Sequence, residues 1–97
     1  MAKKNSEEEK KNLENILQDK IFTELVGESP PSERIHFIYK VVDALRGAYN
    51  DEGIRRWFYR ERAQLENNSP SRYLGSEWNP EDENAKKVLE LAKSLNV

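Results

Sequence analysis

Apolar residues recur along this chain at helical spacing and nowhere alternate, so the pattern predicts helices and no strands. In the first, Leu13, Ile16, Leu17, Ile21 and Leu25 hold one stripe while Lys10, Lys11, Glu14 and Asp19 take the other side. Ser6 with Glu9 reads as a capping box at its start, and Gly27 as its stop with prolines just beyond. After the turn at Ser29-Pro30-Pro31-Ser32, a second helix carries two apolar rows. One is Ile35, Ile38, Tyr39, Val42, Leu45 and Tyr49; beside it run Phe37, Val41, Ala44 and Ala48. Only His36, Lys40, Asp43 and Gly47 remain as a polar strip, and a helix apolar over so much of its circumference is central or lies at a subunit interface.

Asn50 or Asp51 should cap a third helix, in which Ile54, Trp57 and Phe58 make one bulky face. Its other faces present Arg55, Arg56, Tyr59, Arg60 and Arg62, with Glu52 one helical turn before Arg56 as a surface ion pair. Such a pair is worth only ~0.3 to 0.5 kcal/mol, so it does not account for the arginines. They either meet an acidic partner or lay their stems over Trp57 and Tyr59. Ser69-Pro70 then sets an N-cap and a preset first residue for a one-turn helix closed by Gly75. Trp78, in a polar loop, either folds back on the core or meets a partner, and the core is the favoured expectation. Asn79-Pro80 with Asp82 starts the last helix, whose stripe is Ala85, Val88, Leu89, Ala92 and Leu95 and whose Lys93 suits the negative end of the dipole.

The expectation is an all-α fold, a small five-helix bundle with spans near 6–26, 32–49, 52–61, 70–74 and 80–95. Residues 1–5 should be disordered. Residues 6–49 form an N-terminal helical pair and 50–97 a second functional region. The second row of helix 2 has too few partners within one protomer, which implies a homodimer through that helix, its alanines permitting close approach.

Composition narrows the functions. A chain of 97 residues is a single small domain that buries only about 60 to 65 per cent of its unfolded surface. The formal net charge of −2 is not that of a general nucleic-acid glove. Cysteine is absent, which removes disulfide frameworks and thiolate chemistry. No apolar run approaches the ~20 residues of a membrane span, and the acidic start is unlike a signal peptide, so a cytoplasmic protein without a membrane partner is expected. Paired histidines, Gly-rich phosphate loops and nucleophile–base pairs are also lacking. His36 sits on the polar strip as a solvated side chain, and Glu81-Asp82-Glu83 are explained by the helix dipole. The expectation is a protein that is not an enzyme and uses no cofactor or metal.

The order of Trp57 on an aromatic helix, an irregular loop with Leu65, Asn67-Asn68, then Pro70 and Leu74, and a final helix with Val88 and Leu89, resembles the toxin-binding domain of Xre/MbcA/ParS-type antitoxins. The likeness covers roughly the C-terminal half. Asn67-Asn68 stand where that family carries Gly, and Asn tolerates left-handed backbone; Arg62-Ala63 stand where it carries Pro. The resemblance implies an antitoxin that neutralises an NAD-consuming toxin of the Arg-Glu-Ser (RES) family by occluding its active site. Ile54, Trp57, Phe58, Leu65, Pro70, Leu74, Val88 and Leu89 would then be the structural core of the motif. Arg55, Arg56, Arg60, Arg62, Arg72, Lys93 and the C-terminal Val97 would be the partner-binding groups, the Val97 carboxylate serving as an anion surrogate for the NAD pyrophosphate. Two other readings stand beside it: a DNA-binding regulator of its own operon, and a helical dimeric scaffold with no toxin partner. A proline turn joins helices 1 and 2 where a helix-turn-helix would carry a short Gly-containing one.

Overall fold

A single stripe from Leu13 to Leu25 requires an unbroken helix, and the computed structural model of the chain, which describes residues 4–28 and 31–95, breaks it. Helix α1 spans Lys4–Val26, but Gln18 has φ 70° and ψ 158°, far outside helical backbone. Before the break Leu13, Ile16 and Leu17 are buried; after it the phase shifts to Phe22, Leu25 and Val26, leaving Ile21 only half-buried. Phe22 and Val26 are therefore core residues that a continuous 3.6 period misses. The start differs too. Because α1 is helical from Lys4, position 6 lies within the helix and not at its N-cap, and Glu9 reaches His36 Nδ1 at 3.0 Å. His36 is exposed as expected, and in addition it is paired at the surface across two helices. Of the residues expected to be disordered, 1–3 lie outside those described, and Lys4 and Asn5 belong to α1. Gly27 ends the helix as expected, at φ 96° with its N–H donated to the Thr23 carbonyl.

Four further helices follow: α2 Ser32–Leu45, α3 Asp51–Trp57, α4 Pro70–Leu74 and α5 Glu83–Ser94, with one 3-10 turn at Ala63–Leu65. No strand occurs among the described residues, and the all-α class holds. Helix α2 packs against both α1 and α5, α3 against α1, and α4 against α5. One apolar cluster from Leu13 to Ala92 runs through all of them, so both halves of the chain share a core. Among the described residues no helix is long and apolar enough to cross a membrane.

The first half of the second row of α2 is covered inside one chain. Phe37 and Val41 are 5% and 0% exposed, and Phe37 packs on the Trp78 ring with centroids 5.3 Å apart. Ala48 lies past the helix end, which falls at Leu45 and not at 49 because Ala48 and Tyr49 both turn their N–H groups back onto the Leu45 carbonyl. Ala44 is half-buried and Ala48 exposed, so the loop before α5 covers the Phe37 end of the row and leaves its C-terminal end at the surface.

Two other boundaries move for tertiary reasons. Helix α3 stops at Trp57, short of 61, because the Phe58 carbonyl accepts from the Ser71 N–H of α4 and the Arg62 N–H donates to the Asn68 carbonyl. Helix α5 starts at Glu83, three residues after Pro80. There the Asp82 carboxylate accepts from the Asn79 N–H at 3.0 Å and closes a turn that precedes the helix.

Candidate partner-binding surface

Helix α3 is set by its cap: the Asn50 side chain accepts from the Gly53 N–H at 2.9 Å. Its apolar face is fully inserted, with Ile54, Trp57 and Phe58 at 0%, 1% and 0% exposed, and Phe58 meets Trp57 edge-on at 5.2 Å. Around it Leu65, Pro70, Leu74 and Val88 are buried and Leu89 half-buried, so the residues of the motif do lie in the core. The Ser69 hydroxyl accepts from the Arg72 N–H and Pro70 opens α4, which ends at Gly75 with φ 82°. The left-handed pair of the preceding turn is Glu66 and Asn67, at φ 59° and 67°; Asn68, expected to share that role, is instead bridged to Arg62.

The arginines divide into three kinds. Arg55 is structural, since it donates from Nη1 to the Ile16 carbonyl at 2.6 Å, just ahead of the break in α1, where a helical carbonyl needs a donor from elsewhere. Arg62 lies over the Trp57 ring at 5.1 Å, a cation–π placement. Arg56, Arg60 and Arg72 are exposed. Arg56 has the expected exposed pair with Glu52 at 2.9 Å; Arg60 and Arg72 have no side-chain partner among the described residues.

Arg55, Arg56 and Arg60 line one open groove of about 530 Å³ together with Ile21, Glu52 and Tyr59. Arg72 lines a second on the other side of Tyr59, with Glu24, Glu61 and the serines of the α4 turn. Tyr59 forms the wall between them, and its hydroxyl donates to the Glu24 carboxylate. Burial, then the hydrogen bond to Glu24 and the repulsion of its charge, hold the phenol well above its ordinary pKa. A third recess of about 160 Å³ is lined by Tyr49, Gly53, Arg56, Trp57, Arg60 and Arg62. The expected groups thus do not form one patch: Arg56, Arg60 and Arg62 come together around α3, Arg72 is one ridge away, and Lys93 lies on the last turn of α5. Val97 lies outside the described residues.

Arg34 was not legible as a functional or structural residue. It donates Nε to the Trp78 carbonyl at 2.9 Å and Nη1 to the Val26 carbonyl at 3.1 Å, and stacks on the Trp78 ring at 5.1 Å. One signal was available: a cation in the first turn of a helix opposes the dipole, so something other than α2 must hold it there. Trp78 itself folds on the core as expected, 2% exposed, its indole N–H donated to the Leu25 carbonyl at 2.8 Å.

Among the described residues no cluster of His, Asp and Glu is arranged as a metal site. No protein-family model matches this chain, and neither a curated protein nor a solved structure does.

Proposed function

We propose that this chain is an antitoxin-type binding protein that neutralises an NAD-consuming toxin of the Arg-Glu-Ser class. What carries the reading is the surface of α3 and the turn that follows it, where Arg56 and Arg60 are exposed while Trp57 and Phe58 anchor the segment in the core. Rigid backing with exposed guanidinium groups in front is what recognition of carboxylates requires. Arg56, Arg60 and Arg72 meet acidic groups on the toxin's rim in this reading, while Arg55, held by Ile16, belongs to the scaffold.

An enzyme that consumes NAD must hold a pyrophosphate, and in this reading the segment 95–97 enters the mouth of that site. The protein then acts as a plug and does no chemistry of its own. The test is to co-express a toxin of this class with the full chain or with a form lacking Leu95 to Val97 and to measure cellular NAD. The last buried residue of α5 is Ala92, so the deletion spares the core. Loss of NAD protection by a folded truncated form is expected; equal protection by both forms would eliminate the plug and leave the α3 face as the sole inhibitory surface.

A further inference from the structure

Among the described residues, two buried side-chain nitrogens lack a hydrogen-bond partner: Trp57 Nε1 and Arg62 Nε. Both residues line the same recess of about 160 Å³, and Arg56 and Arg60 line it with them. Buried indole N–H groups ordinarily find an acceptor, and one left without it carries a desolvation cost. Coincidence of both orphans in one recess is therefore informative. Three arginines and Trp57 line the recess, and no carboxylate-bearing residue does.

We propose that this recess receives a side-chain carboxylate from an acidic segment of the partner protein, an inference that rests on reading α3 as the partner-binding face. A carboxylate offers two coplanar oxygens, which match a guanidinium edge and leave lone pairs for a second donor. In the unbound chain the Arg62 guanidinium covers the indole. An entering carboxylate pairs with Arg60 and Arg62, draws Arg62 off the ring and accepts the Trp57 N–H, so both orphans are satisfied by one group. Charge and size select the occupant. The recess is cationic in a chain whose net charge is −2, and its volume of about 160 Å³ admits a whole acidic side chain and not only its carboxylate. The partner is a polypeptide because Arg56 and Arg60 also line the adjoining open groove, so a segment lying there presents its acidic side chain to the recess.

The experiment uses the two indole N–H resonances of the 15N-labelled full chain. Trp78 is the internal reference, its N–H being held by Leu25. The probes are a capped Glu-rich pentapeptide, its Gln counterpart and inorganic phosphate. The Glu peptide is expected to move the Trp57 resonance saturably and leave that of Trp78 in place, with no response to the Gln peptide and a response to phosphate only at far higher concentration. Arg60→Gln should raise the peptide Kd about tenfold, the loss expected for one charge-assisted hydrogen bond, without shifting Tm. A Trp57 resonance indifferent to the Glu peptide overturns the proposal, and so does phosphate binding as tight as the peptide's. If the chain neutralises the toxin while Trp57 stays silent, the recess is refuted and the antitoxin reading stands. If Trp57 responds but NAD is unprotected, the recess stands and the toxin assignment falls.

Discussion

Two tryptophans in this small core are built alike and finished differently. Each is buried, 1% exposed for Trp57 and 2% for Trp78, and each has an arginine over its ring at 5.1 Å. At Trp78 the indole N–H has the Leu25 carbonyl, and Arg34 divides its donors among backbone carbonyls of residues 26, 76 and 78. At Trp57 neither the indole N–H nor Arg62 Nε has an acceptor. The first pair is a finished clamp between the end of α1 and the loop before α5. The second holds unspent donors beside exposed arginines. The difference teaches that identical side-chain chemistry locks elements together where backbone carbonyls converge on it and keeps unpaired donors where they do not.

The largest effects do not distinguish the pairs. Trp57→Ala and Trp78→Ala each remove a buried aromatic and are expected to cost ~3 to 5 kcal/mol, a large share of the ~5 to 15 kcal/mol typical of a domain. Phenylalanine separates them. Trp78→Phe strands the Leu25 carbonyl and should cost about 1 to 3 kcal/mol more in urea unfolding than Trp57→Phe, which removes a donor that has no acceptor. Equal losses for the two Phe variants would mean that the Trp57 N–H is satisfied within the chain, and the contrast would collapse.

A second comparison concerns the two halves of α1. The half before Gln18 is held to α3 through Arg55 and the Ile16 carbonyl; the half after it is held to Trp78 and Arg34 through the Leu25 and Val26 carbonyls. Between them Gln18 occupies a backbone region that only glycine enters readily, at a cost of ~1 to 3 kcal/mol. Gln18→Gly is therefore expected to raise stability by about 1 kcal/mol, since the relieved strain exceeds the added freedom of the unfolded chain. In an unbroken helix the same change costs about 1 kcal/mol. The sign alone decides whether the two halves are independent anchors.

How much of this was legible follows from what each signal depends on. Period and capping are local, so the helix class, the Asn50 and Ser69 caps, the one-turn α4 and the Gly27 and Gly75 stops could all be read from neighbouring residues. The break at Gln18 has no local signature: glutamine is a good helix former, and the residues around it continue the apolar spacing. The ends of α3 and α5 were misplaced because a tertiary carbonyl, Phe58, and a local side chain, Asp82, compete for the groups that would have continued or begun the ladder. Among the site residues, Arg56 and Arg60 were legible as exposed cations. The duty of Arg55 was not, because it depends on a carbonyl that becomes available only where α1 breaks. The packing of Phe37 was hidden for a similar reason, since its neighbour is a loop tryptophan distant in sequence.

The smallest effect bears on how the open face stays attached to α1. Tyr59 is 43% exposed, and its hydroxyl bond to Glu24 joins the α3 side to the second half of α1. Its pKa is raised in the folded chain, by burial first and Glu24 second. The unfolded chain therefore surrenders the phenolic proton first as pH rises. The contribution of Tyr59 is complete below about pH 10, the ordinary phenol value, and declines as pH climbs from there toward the raised folded value. Lysines titrate in the same range, so the measurement is a difference: urea unfolding of the wild type and of Tyr59→Phe as a function of pH. The gap between the two should shift in favour of the variant above about pH 10, because phenylalanine has no proton to lose. Since Trp78 and Arg34 are joined by no titrating phenol, the fluorescence of Trp57 should respond before that of Trp78 in single-tryptophan variants. Parallel profiles for wild type and Tyr59→Phe would show that the Glu24 bond adds nothing, and that α3 is held to α1 by its buried face and Arg55 alone.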